Sequence, residues 1–232
     1  MTSTNYSSGN DRFNTEAQTW DTQAEVVESS SRCLSHLVSS PLLPPSQLSQ
    51  LDALEIGCGT GLLTLPLSGH VSSILALDTS HGMVEMLDHK LESRRADAAK
   101  SGRVTAKVKL LEDATDPVLE GKRFGLVLSH LVMHHVPHMQ HLVDVMYACT
   151  AHGGRVWISD FENTGKEAEA FHPVAKHAGV ERHGLERQEM RDILAKAGYA
   201  NVDVFESFRL DKTVESGQTQ SFPFIVATGT RE

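Results

Sequence analysis

The stretch Leu54-Glu55-Ile56-Gly57-Cys58-Gly59-Thr60-Gly61 sits between a short apolar approach, Leu51 to Ile56, and an apolar run of Leu62, Leu63, Leu65 and Leu67. The approach reads as a strand and the run as one face of a helix, so the glycines fall at a strand-to-helix turn. Glycine at 57, 59 and 61 suits a turn that needs positive φ, or a backbone that lets a ligand approach closely. Amides at the start of the following helix then face that ligand. A dinucleotide fingerprint counted from Gly57 needs its third glycine at 62, where the chain has Leu62. A phosphate-binding loop ends in Gly-Lys-Ser/Thr, and no lysine is near. What stands here is E-x-G-x-G-x-G, a ligand loop of another type or a glycine-rich structural turn.

Working outward, Val71 to Leu77 reads as a second strand ending at Asp78, and Ser80 as the N-cap of a helix over about 81–100, with Met83, Met86, Leu87 and Leu91 on one face. Residues 104–111 alternate as a third strand, and Phe124 to Ser129 is apolar enough for a strand buried on both faces. A helix follows Pro137 and stops near Gly153-Gly154; Arg155 to Phe161 is a fifth strand. A helix over about 186–197 stops at Gly198, and Val202–Phe208 and Phe222–Thr228 are the last two strands. Upstream, residues 1–11 are polar and read as a mobile tail. A helical period runs from Phe13 to Val38 through Ala17, Trp20, Ala24, Val27, Cys33, Leu34 and Leu37, until Pro41, Pro44 and Pro45 end it. Strands alternating with helices predict βαβ units, a mostly parallel sheet and one α/β domain over 12–232.

The 232 residues suffice for such a core, and the formal charge of −9 comes with no basic block, which argues against a nucleic-acid or anionic-membrane surface. Three dispersed cysteines, Cys33, Cys58 and Cys149, read as free thiols of a reducing compartment. The first ten residues hold no apolar core, and no apolar run reaches membrane length, so a soluble cytoplasmic protein, monomer or homodimer, is expected.

The glycine loop, with Asp78 and Asp113-Ala114 at the next two strand ends, resembles motif I and its successors in class I S-adenosylmethionine-dependent methyltransferases. The strand order resembles their Rossmann-like fold, a doubly wound, mostly parallel seven-stranded sheet with one antiparallel strand. The resemblance implies that Gly57, Cys58, Gly59 and Gly61 wrap the methionine end of S-adenosyl-L-methionine and that Glu55 holds its ammonium or caps local amides. It implies that Asp78, followed by Thr79, takes the ribose hydroxyls, and that Met83 packs on the adenine or simply fills core. Asp113 and the Ala114 amide meet the adenine, with Glu112 and Asp116 as competing carboxylates. Trp20 and Ser129 complete the candidate cofactor set.

After the fourth strand comes Ser129-His130-Leu131-Val132-Met133-His134-His135-Val136-Pro137. It is similar to the L-H-H-V-P segment of small-molecule methyltransferases related to ubiquinone and menaquinone biosynthesis. The fifth strand ends in Ser159-Asp160-Phe161, so His134 or His135 can face Asp160 across the carboxyl edge of the sheet, where ligands bind in open α/β sheets. A carboxylate beside an imidazole fixes its tautomer and suits it to act as a base. Segment 162–185 reads as an acceptor-side lid and 12–45 as a helical cap. His134, Phe161, His172, His177 and His183 are then the candidate acceptor contacts. The histidine spacings match no recognised ligand motif, so no metal is expected. The expected activity is methyl transfer to a small molecule by in-line displacement, with the O, N, S or C acceptor atom open. A non-catalytic S-adenosylmethionine-binding partner is the alternative.

Overall fold

The computed structural model describes residues 6–94 and 104–232. Its seven strands are β1 (Asp52–Ile56), β2 (Ser73–Asp78), β3 (Val104–Val108), β4 (Phe124–His130), β5 (Thr150–Phe161), β6 (Ala200–Thr213) and β7 (Thr219–Thr230). They form one sheet in the order β3-β2-β1-β4-β5-β7-β6. The β1–β2, β2–β3 and β4–β5 pairs are parallel, and β7 runs antiparallel to both β5 and β6. This is the expected seven-stranded Rossmann-like arrangement. The chain divides into two compact units, one up to Leu110 and one from Leu111 onward.

In the first unit, helices α1 (Tyr6–Trp20), α2 (Ala24–Ser39) and α3 (Pro45–Leu48) precede β1. Proline at N1 starts α3, where its missing N–H costs nothing. The helix α1 begins at Tyr6, so the expected mobile tail to residue 11 gives way to helix from that point; residues 1–5 lie outside the described residues. A short α4 (Thr64–Leu67) follows the glycine turn and α5 (His81–Arg94) follows β2; the remainder of the helix expected to 100 lies outside the described residues. Ala53, Leu54, Ile74, Ala76, Leu77 and Leu87 are buried, which places the core between the strands and α5. The cap α1 comes close at Gly82, where a Cβ would lie 2.8 Å from the Asn14 carbonyl oxygen.

In the second unit, α6 (Met139–Cys149) and α7 (Arg187–Ala197) accompany the strands. The helix α6 ends at Cys149, and β5 begins at Thr150 instead of Arg155. The Gly153-Gly154 pair expected to stop a helix instead accompanies a register irregularity opposite Phe124–Leu126. A Cβ on Gly154 would sit 3.0 Å from the Phe124 carbonyl oxygen, so the neighbouring strand needs glycine here. The hairpin is also longer than its apolar runs suggested, because pairing extends to Thr213↔Thr219 through polar residues whose backbone groups still bond. Trp157, Phe161, Phe222 and Phe224 are the largest fully buried side chains.

The glycine turn is the tightest element of the first unit. Gly61 has φ +86°, and a Cβ there would lie 2.4 Å from Leu87 Cδ1. Gly61→Ala should therefore combine left-handed strain with overpacking and cost roughly 2–4 kcal/mol. Chemical denaturation of the two proteins measures it, and an unchanged midpoint would mean the turn tolerates a side chain.

Candidate functional site

The first unit presents the turn from β1 into α4. The Gly57 and Cys58 amides both donate to the Leu77 carbonyl, at 2.7 and 3.0 Å, which ties the turn to β2. Asp78, at the end of β2, accepts from the Gly59 amide through Oδ2 and from the Ser80 amide through Oδ1, each at 2.8 Å. Burial raises the Asp78 pKa, and these amides and that of Thr79 pull it back. The expected ribose carboxylate is thus also the staple of its own loop. Trp20 Nε1 lies 3.9 Å from where a Gly59 Cβ would be, so Trp20 borders the turn.

Three residues that the sequence did not single out brace this turn. Asn14 Oδ1 accepts from Ser80 Oγ at 2.8 Å and from the Gly82 amide at 2.9 Å. Asp21 accepts from the Thr60 hydroxyl and is paired with Lys90, whose Nζ also donates to the Thr60 carbonyl at 2.7 Å. Lys90 continues the Met83–Leu87 side of α5 at helical spacing, which is the one signal that pointed to it. Met83 is 2% exposed and its amide bonds the capping Ser80 Oγ at 3.2 Å, a placement that favours core packing over contact with a ring.

Glu55 is buried, and its Oε2 has no hydrogen-bond partner among the described residues. Burial pushes its pKa up to about 8; the Thr64 side chain pulls the other way and Asp78 adds to the rise. Such a group fits the cationic end of a ligand, because an ammonium would both ionise the carboxyl and satisfy Oε2. Cys58, beside it, is buried, and burial with the two neighbouring carboxylates raises its thiol well above the usual range, so it stays neutral.

In the second unit, Asp113 is exposed, and its Oδ1 accepts from the Thr115 amide at 2.7 Å and the Thr115 hydroxyl at 2.5 Å, shaping its own turn. Asp116 caps the 3-10 turn Pro117–Leu119 through the Val118 amide at 2.9 Å, which gives it a structural task. Ala114 is half-buried beside them, and Ser129 is buried within β4.

Beyond β4, a 3-10 turn (Met133–His135) carries the histidines. His134 Nδ1 lies 2.9 Å from both oxygens of Asp160, and the His134 amide donates to Oδ2 at 3.2 Å. The pair forms because His130 stands opposite Ser159 in the parallel β4–β5 register, so both strands end side by side. Asp160 is fully buried; burial pushes its pKa up to about 6, against the amides of His134 and Phe161. Buried His130 is pushed down to about 4, chiefly by desolvation, and is neutral at physiological pH.

The segment expected as a lid folds over this turn. Glu181 and Arg182 amides donate to the His134 carbonyl at 3.1 and 3.2 Å, and Arg182 Nη1 reaches the carbonyls of Met133 and Val136 at 2.7 and 2.6 Å. Arg182 was not anticipated, since nothing in local sequence marks a cation that binds carbonyls across 45 residues or more. His135 Nδ1 donates to the Gly179 carbonyl at 2.7 Å, and its ring centre is 3.9 Å from that of His134. The His172 ring is 5.1 Å from His134. Nitrogens of His134, His135 and His172 lie within 4.8 Å of one another, a grouping that sequence spacing did not reveal.

Three expected acceptor contacts have other surroundings. Phe161 is fully buried and stacked on Phe171 at 4.1 Å in an aromatic core with Leu210, Phe222 and Phe224, so it lines no open surface. His177 Nε2 bonds the carbonyls of Glu169 and His172 at 3.2 and 3.0 Å and its ring meets His183 at 4.6 Å; both support the segment instead of joining His134.

A glycine turn stapled by a strand-end aspartate, on a sheet of this order, defines a Rossmann-like methyltransferase domain. Residues 26–204 match the family described as a methyltransferase domain, and the chain belongs to it. Among curated relatives, the mouse mitochondrial ubiquinone biosynthesis O-methyltransferase is 30% identical over 121 residues, 52% of this chain and 31% of that protein. An uncharacterised methyltransferase of Schizosaccharomyces pombe is 25% identical over 178 residues, 74% of this chain and 61% of its own length. The chain thus spans less than two thirds of these relatives. A solved magnesium protoporphyrin IX methyltransferase from Synechocystis PCC 6803, bound to S-adenosylmethionine, shares the fold with a TM-score of 0.66 at 16% identity, covering 100% of this chain and 99% of that one. No helix among the described residues is long and apolar enough to cross a membrane.

The buried Glu55 makes a testable difference to stability. The folded chain keeps this proton up to about pH 8, whereas the unfolded chain loses it near 4.5, so stability contributed here falls as pH rises through that window. Glu55→Gln should be more stable than wild type at pH 7 by roughly 2–4 kcal/mol, with little difference near pH 4. Paired denaturation curves across this range check it, and a pH-independent difference would show that Glu55 is ionised in the fold.

Proposed function

We propose that the chain transfers a methyl group from S-adenosyl-L-methionine to a small-molecule acceptor. The observation that carries this is the Gly59–Asp78–Ser80 staple beside a neutral, under-bonded Glu55: a site for a zwitterionic, phosphate-free nucleoside. Gly57, Cys58, Gly59 and Gly61 present backbone to the methionine end, Glu55 takes the ammonium, and Asp78 uses its remaining lone pairs on the ribose. Trp20 and Thr79 border these groups, and the resemblance assigns Asp113 and the Ala114 amide to the adenine. The sulfonium makes the methyl group electrophilic, and the protein's task is to hold donor and acceptor in line.

On the acceptor side, ionised Asp160 takes the Nδ1 proton of His134 in a hydrogen bond and so fixes the tautomer that makes Nε2 the accepting nitrogen. His134 is then the base for a hydroxyl or protonated nitrogen acceptor, with His135 and His172 beside it. Because His134 is 2% exposed, segment 162–185 must open to admit the acceptor. The relatives named as O-methyltransferases favour an oxygen acceptor. The net charge of −9 supports a small molecule over a nucleic acid, and the three separated buried cysteines support a reducing, cytoplasmic setting.

Calorimetry should show binding of S-adenosylmethionine and its demethylated product and none of NAD. Binding at pH 7 should release a proton as Glu55 ionises, seen as a dependence of the measured heat on the buffer's ionisation enthalpy. NAD binding without methyl-donor binding would overturn the proposal. His134→Ala should lower turnover about 10²-fold or more while leaving donor affinity within about threefold. Full turnover in that variant with a productive acceptor would assign the proton elsewhere or to no base.

A further inference from the structure

The geometry points to a transition-metal site formed by His134, His135 and His172, which clamps the covering segment onto the strand tip and competes with the proposed base. His134 and His135 stand on the 3-10 turn after β4; His172 ends the 3-10 segment Lys166–Phe171 that covers it. One nitrogen from each lies within 4.8 Å of the other two. A tetrahedral zinc ion with bonds of about 2.0–2.1 Å needs its nitrogens about 3.4 Å apart, so the rings must close by about 1.4 Å at most.

Two of the three rings are already held as metal-ligating histidines are held. A ligating imidazole gives its second N–H to a carboxylate or carbonyl, which fixes the tautomer and raises the basicity of the ligating nitrogen. Asp160 holds His134 Nδ1 at 2.9 Å, and the Gly179 carbonyl holds His135 Nδ1 at 2.7 Å. On this proposal Nε2 is the ligating nitrogen of both rings. The Asp160 carboxylate adds the negative charge that a neutral histidine set lacks. His135 and His172 are half-buried, so an ion reaches the site from solvent while His134 closes its floor. Three imidazoles with an open fourth position suit Zn²⁺, Co²⁺ or Ni²⁺ and not Mg²⁺ or Ca²⁺, which take oxygen ligands.

The inference rests on the reading of His134 as the acceptor-side base and sets its regulation. Nε2 cannot hold a metal and take a proton at once, and a metal bridging His172 to His134 keeps the segment shut. A zinc-type ion is thus an inhibitor that locks the acceptor side. No bond is made or broken beyond coordination.

The test uses the full chain, stripped with a chelator and titrated by calorimetry with Zn²⁺ and with Mg²⁺. We expect one Zn²⁺ per chain, no Mg²⁺ binding, and with Co²⁺ the visible absorption bands of a four- or five-coordinate ion. His135→Ala and His172→Ala should each weaken Zn²⁺ binding at least about tenfold with unchanged circular dichroism. Zn²⁺ should slow proteolysis within residues 166–185 of wild type and not of His172→Ala. Absence of stoichiometric Zn²⁺ binding, or equal binding by wild type and both variants, overturns the site. Binding without protection of the segment overturns the clamp. S-adenosylmethionine binding, measured separately, decides the methyltransferase reading: its loss would sink that reading and leave the metal site standing, and the converse result does the reverse.

Discussion

The Asp78 carboxylate, shared between the Gly59 and Ser80 amides, is the interaction on which the first unit turns. One side chain fixes the middle of the glycine loop to the end of β2 and to the start of α5. Hydrogen bonds to a carboxylate are roughly twice as strong as neutral ones, and these are short. They also orient the carboxylate, so that on the proposed function a ribose meets a rigid acceptor in place of a mobile one. Preorganisation of this kind removes an ordering cost from binding. The cost has moved to folding, where a largely buried acid must be kept ionised by backbone amides.

The second unit solves a similar problem with a different partner. Asp160 lies fully buried where β5 ends, and it is tolerated because two amides and an imidazole satisfy it. Removing one member of such a pair leaves the other buried and uncompensated, which is costly. The pair therefore constrains the turn after β4 whatever chemistry it serves. Arg182 adds a third constraint: its guanidinium gathers the turn's carbonyls and so ties the covering segment to the turn after β4.

The fold was largely legible in the sequence because its signals are local. Glycine spacing marked the turn, Asp78 marked a strand end, and apolar runs marked β4 and β5. The His134–Asp160 pair was legible too, since parallel neighbours that end together bring their tips together. What was hidden depends on long-range register. The Asn14, Lys90 and Arg182 contacts join residues far apart in the chain, and helical spacing on α5 marked only the side of Lys90 and not its partner. The metal-like grouping of His172 with His134 and His135 was missed for the same reason: ligand motifs describe ligands on one element. The burial of Phe161 was hidden because an aromatic residue at a strand end reads the same whether it faces a cleft or the core.

The braces of α1 have a consequence for how the chain reaches its fold. Asn14 meets Ser80 and Gly82 across 66 and 68 residues. An isolated helix of this length is marginal in water, and its tertiary partners are made much later than it is. During synthesis α1 therefore leaves the ribosome before β1, β2 and α5 and is among the last in its unit to dock. Its braces at Ser80 and Gly82 form only once β2 and α5 are in place, and the closure of so long a loop carries an entropic cost that these bonds must offset.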